Sequence, residues 1–146
     1  MISETLARTV SDSVTPFLVA GELSLLPNKQ AFTQSAKALG ATFAATELLK
    51  HLVGEKRPNS DSQTSFPSGH TAAAFAMATV LTDYEPSYKW PAYITAAAIG
   101  YSRVEAGSHY WRDVVGGALL GHYVAKQFTN DHVVATSSGI GLQWTW

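Results

Sequence analysis

The sequence predicts an all-α protein, a compact bundle of about five to six helices with a short C-terminal β-hairpin. Three observations lead to this. Apolar residues recur at spacings of three and four along most of the chain, the period of a helix with one buried face. Gly and Pro divide these periodic segments from one another. With 146 residues, 46% hydrophobic and 14% charged, the chain is long enough to bury a core as one domain spanning residues 1–146.

The first helix is predicted over residues 3 to about 18, where Leu6, Val10, Val14 and Phe17 share a face. Residues 23–26 read as a separate apolar patch that ends at Pro27-Asn28. A second helix covers residues 29 to about 53, weakened at Gly40 and stopped by Gly54 and Pro58. Residues 55–65 are polar and read as a loop. A third helix begins near Ser68 and runs to about 81, and Pro86 cannot continue it. A fourth helix is expected over about 88–101 and a fifth over about 110–128. In the tail, Ile140, Leu142, Trp144 and Trp146 alternate with Gly141, Gln143 and Thr145, a two-residue period. Ser137-Ser138-Gly139 can turn that strand back on residues 132–135, so residues 130–146 are expected to form a hairpin covering the bundle or lying in a subunit contact.

Bulk properties exclude several classes. The net charge is −1, so neither a nucleic-acid partner nor attraction to an anionic membrane surface is suggested. The chain has no cysteine, which excludes disulfides and thiolate metal sites. Mean hydropathy is near zero. The apolar stretches at 71–82, 90–101 and 114–125 are each shorter than the run of about 18 residues a spanning helix needs. Glu4, Arg8 and Asp12 interrupt the start of the chain, so it does not read as a secretory signal.

Three clusters at predicted element boundaries carry the chemistry. Lys50 is followed after six residues by Arg57-Pro58. Pro67-Ser68-Gly69-His70 opens the third helix. Ser102-Arg103 is followed after five residues by His109, and after three more by Asp113. Lys50, Lys56, Arg57, Arg103 and Arg112, in or beside these clusters, are half of the ten Lys and Arg. Cations gathered at helix ends suit an anion. Arg57 and Arg103 can offer bidentate forks to a phosphate, and Lys50 a point charge. A helix starting at Ser68-Gly69-His70 adds open backbone N–H groups and its positive dipole end. Gly69 permits close backbone approach, and the Ser68 hydroxyl is a further donor.

His109 and Asp113 are four residues apart at a helix start, so both lie on one face. A carboxylate on one imidazole nitrogen fixes the tautomer and frees the other nitrogen to attack. His70 would then protonate the leaving alcohol and later deprotonate the water that resolves a phosphohistidine. His51, His122 and His132 stand apart from the clusters and read as structural or surface residues.

In order and spacing, the three clusters resemble the signature of the type 2 phosphatidic acid phosphatase superfamily, which includes bacterial non-specific acid phosphatases and vanadium haloperoxidases. Every fixed position of that signature is present, within under half of the chain. The resemblance implies a helix bundle with its site at one end. It also implies phosphate-binding positions at Lys50, Arg57, Ser68, Gly69 and Arg103, with His70 as general acid, His109 as nucleophile and Asp113 as the carboxylate that orients it. No metal or other cofactor is implied for hydrolysis. The expected function is metal-independent cleavage of a phosphate ester, lipid phosphate or pyrophosphate or soluble phosphomonoester, through a phosphohistidine. A vanadate-dependent haloperoxidase is one alternative, and a halide-oxidation assay separates it; a non-catalytic anion-binding domain is the other, and a chromogenic phosphate-ester assay separates that. Expected partners are a phosphorylated small molecule or lipid, a membrane surface and a second copy of the chain, with no nucleic acid. The expected location is periplasmic or membrane-associated in a bacterium, with any signal lying before Met1.

Overall fold

A computed structural model describes residues 3–129 and two strands, 133–136 and 139–142. The helices are α1 (Glu4–Asp12), α2 (Val14–Leu25), α3 (Lys29–Val53), α4 (Gly69–Tyr84), α5 (Lys89–Glu105) and α6 (Trp111–Thr129). One 3-10 turn, Pro86–Tyr88, precedes α5. The strands β1 (Val133–Thr136) and β2 (Gly139–Leu142) pair antiparallel, with Val133 opposite Leu142 and Thr136 opposite Gly139. The all-α bundle and its hairpin are as expected. Trp144 and Trp146 lie outside the described residues.

The single first helix expected over residues 3 to about 18 is instead two helices that meet at Ser13. Pro16 accounts for the break. It has no N–H to return to the carbonyl of Asp12, and its ring crowds that carbonyl. Once past Pro16, α2 continues to Leu25, so the patch at 23–26 belongs almost entirely to a helix. α3 passes through Gly40, where the glycine costs about 1 kcal/mol relative to alanine. Burial of Ala31, Ser35, Ala38, Thr42 and Thr46 along one face of α3 outweighs that cost. Asn28 caps the start of α3 by accepting from the Ala31 N–H at 3.0 Å. Gly54, at φ +60°, ends it and donates to the Lys50 carbonyl at 3.0 Å.

α4 is the central helix. Ala72, Ala74, Ala76, Met77, Ala78, Val80 and Leu81 are all buried, so apolar residues face every side. Its small side chains let α6 come unusually close. A Cβ added at Gly117 would stand 2.5 Å from the Ser68 carbonyl oxygen, and one at Gly121 would collide with the backbone of Ala72. This approach places the first turn of α4 against the first turn of α6, where the Ser68 N–H donates to the Asp113 carbonyl at 3.0 Å. Among the described residues, no helix is long and apolar enough to cross a membrane.

Candidate active site

The three sequence clusters meet at one end of the bundle. Lys50 comes from the last turn of α3, Arg57 from the loop after it and Arg103 from the last turn of α5. Their charges act together on His70 in the first turn of α4, and those of Arg103 and Arg57 act on His109 just before α6. Lys56 and Arg112 do not join them. Lys56 pairs with Asp61 at 2.7 Å, and Arg112 forms a two-pronged bond to Glu55, its shorter contact 2.6 Å. Both pairs involve the loop of residues 55–68 and leave neither cation beside the two histidines.

His109 is 2% exposed. Its Nδ1 lies 2.8 Å from the Ser65 carbonyl oxygen. A carbonyl only accepts, so Nδ1 carries the proton and Nε2 keeps a free lone pair. Here the geometry corrects the sequence reading, in which Asp113 accepts this bond. Asp113 Oδ2 stands 3.6 Å from Nδ1, too long for a hydrogen bond, and acts on the ring through its charge. That oxygen is already occupied, because it accepts the Tyr110 N–H at 2.8 Å and the Ser65 hydroxyl. Asp113 therefore fastens Ser65, and Ser65 in turn fastens His109. Nothing in the sequence singles out Ser65. It is one of several serines in a polar loop, and it works through a backbone carbonyl that any residue would supply.

Ser68 is fully buried, and its hydroxyl is engaged inside the helix cap. It bonds to Thr71 Oγ1 at 2.9 Å and accepts weakly from the Thr71 N–H at 3.4 Å. The open donors at this helix start are the N–H groups of Gly69 and His70, which have no partner within the helix. Arg57 Nε donates to Thr64 Oγ1 at 3.2 Å, which braces the guanidinium from the loop side.

Both site histidines are held neutral. Burial, reinforced by Arg103 and the other nearby cations, pushes His70 down to about 4 and His109 down to about 4. Burial also lowers Lys50 and Arg103, each with added repulsion from neighbouring cations. This charge arrangement is strained without an anion and relieved by one. It also sets a pH dependence of stability. The unfolded chain binds protons at these histidines near pH 6.5 and the folded chain only near 4, so the stability they contribute is complete above pH 6.5. It is lost as pH falls from 6.5 to about 4. Melting temperature should drop over that window, and inorganic phosphate should raise it. A melting temperature that stays level from pH 7 to 4.5 would contradict the neutral pair.

Outside the site, His122 has a structural place, as expected. Its Nδ1 lies 2.9 Å from Thr79 Oγ1 and 3.2 Å from the Tyr93 hydroxyl. His51 is exposed on α3, and His132 lies outside the described residues. Among the described residues, no three His, Asp or Glu side chains gather as a metal would require.

Fold and site together define a helix bundle whose converging helix ends bring three cations to two histidines. Residues 31–136 match the model of the PAP2 superfamily, and the chain belongs to that superfamily. The lipid A 1-phosphatase of Porphyromonas gingivalis is 38% identical over 81 residues, which is 53% of this chain and 18% of that protein. The undecaprenyl-diphosphatase BcrC of Bacillus subtilis is 31% identical over 78 residues, 53% of this chain and 40% of that protein. The chain thus corresponds to less than half the length of either. Among solved structures, Aquifex aeolicus LpxE superposes with a TM-score of 0.67 at 27% identity, covering 84% of this chain and 92% of that one.

Proposed function

We propose that residues 1–146 act as one phosphatase domain that hydrolyses a phosphorylated lipid through a phosphohistidine on His109, without a metal. The observation that carries this reading is the buried, neutral His109. Its Nδ1 proton is committed to Ser65, so Nε2 is left as the nucleophile under the charges of Arg103 and Arg57. Lys50, Arg57, Arg103 and the N–H groups of Gly69 and His70 hold the phosphoryl oxygens, and they hold the more highly charged transition state better. Ser68 sets that helix start. The charge of a bound phosphate offsets the surrounding cations and raises His70, so that it can protonate the leaving alcohol. Asp113 steadies the imidazolium that develops on His109. The three cations oppose binding of a divalent ion at the same place.

A groove of about 470 Å³ supports the lipid. At one end it is lined by Lys50, Gly69 and His70, and along its length by Val14, Leu18, Leu39, Phe43 and Ala73. A leaving group protonated by His70 therefore lies in an apolar channel. The relatives named above, lipid A 1-phosphatase and undecaprenyl-diphosphatase, carry substrates of this chemistry in their names. Exposed apolar residues also recur every four positions on α6, at Trp111, Val115, Leu119 and Tyr123. Such a stripe suits contact with a membrane from which the lipid is drawn, in keeping with a membrane-associated enzyme.

Phe43 offers the test. It is 69% exposed, so Phe43→Asp should fold. The variant should raise KM for a long-chain lipid phosphate by about tenfold to a hundredfold, because an apolar contact worth about 1.5–3 kcal/mol is lost. Turnover of a small chromogenic phosphate ester should stay close to wild type. Equal effects on both substrates, or on neither, would remove the groove from substrate binding.

A further inference from the structure

α1 lies outside the stretch that matches the family, yet it reaches the anion pocket. Arg103 Nη1 donates to Ser11 Oγ at 2.6 Å. Ser11 is 1% exposed and sits next to the last residue of α1. The adjacent Asp12 carboxylate acts on both Arg103 and His70, favouring their charged forms. With Arg103 and Ser108, these α1 residues line a cavity of about 210 Å³, so α1 borders the Arg103 side chain.

Arg103 Nε is buried and has no hydrogen-bond partner. A buried charged donor is costly when left open, and a ligand oxygen removes that cost. A guanidinium is a rigid plane, so fixing one Nη fixes the direction in which Nε points. We infer that Ser11 is a positioning residue, whose hydroxyl orients the Arg103 guanidinium so that Nε meets a phosphoryl oxygen of the substrate. The inference rests on the reading of Arg103 as a phosphate ligand, and adds to it a working role for α1.

The experiment compares Ser11→Ala, Ser11→Cys and Arg103→Lys in the full chain. It uses a chromogenic phosphate monoester as substrate and orthovanadate as inhibitor. Ser11→Ala should lower kcat/KM by about tenfold and weaken vanadate inhibition by the same factor, since one charge-assisted bond orients the ligand. Ser11→Cys, a near-isosteric and weaker acceptor, should fall between wild type and Ala on both measures. Melting temperatures should stay near wild type, because a merely structural role would move melting without moving vanadate affinity in step with kcat/KM. Wild-type kinetics and vanadate inhibition in Ser11→Ala, with Arg103→Lys impaired, would overturn the inference and leave the phosphate reading standing. Wild-type kinetics in Arg103→Lys would overturn both.

Discussion

His109→Ala is expected to lower kcat by at least about a thousandfold while the protein still melts cooperatively. The size follows from the role. If His109 forms the covalent intermediate, no neighbour replaces it: His70 is placed for proton transfer, and Ser68 is buried in its helix cap. The variant opens a small cavity and leaves the Ser65 carbonyl without its partner, which costs about 1–3 kcal/mol of stability. His109→Gln retains most of the volume and provides a check on folding. Circular dichroism and melting curves alongside the rate separate lost chemistry from lost structure. Retention of more than a few per cent of wild-type kcat in a folded variant would remove His109 from the covalent step.

His70→Asn should give the second largest loss, about a hundredfold to ten-thousandfold, and its size should depend on the substrate. An alkyl phosphate has a poor leaving group that needs the proton, so its hydrolysis should suffer most. A nitrophenyl phosphate leaves as a stable anion and should suffer least. Because burial and the nearby cations push His70 down to about 4 in the free protein, wild-type kcat/KM for the alkyl substrate should be higher at pH 5 than at pH 8. His70→Asn should flatten that dependence. A uniform loss across both leaving groups would assign His70 to binding alone.

The chemistry of this protein was more legible in its sequence than its fine geometry. Lys50, Arg57, His70, Arg103, His109 and Asp113 are chemically distinctive residues at characteristic spacings, and the folded chain brings them to one end of the bundle. The helices were legible where one apolar period ran uninterrupted, as in α3 and α6. The division between α1 and α2 was not, because the apolar period continues across Ser13 and only Pro16 marks the break. The partner of His109 was hidden for a different reason. Ser65 reaches it through a backbone carbonyl brought close by tertiary folding, and a backbone group leaves no mark in a sequence. Ser11 was hidden likewise, since its contact with Arg103 spans 92 positions.

The covalent claim has a direct measurement. Enzyme mixed with a substrate labelled in its phosphoryl group, then denatured within milliseconds in alkali, should retain label on protein. Phosphohistidine survives alkali and is lost in acid, whereas phosphoserine resists acid, so a parallel acid treatment identifies the linkage. Peptide mapping should place the label on His109, and His109→Ala should retain none. Label on Ser68 or His70, or no labelled protein under conditions of rapid turnover, would contradict the account.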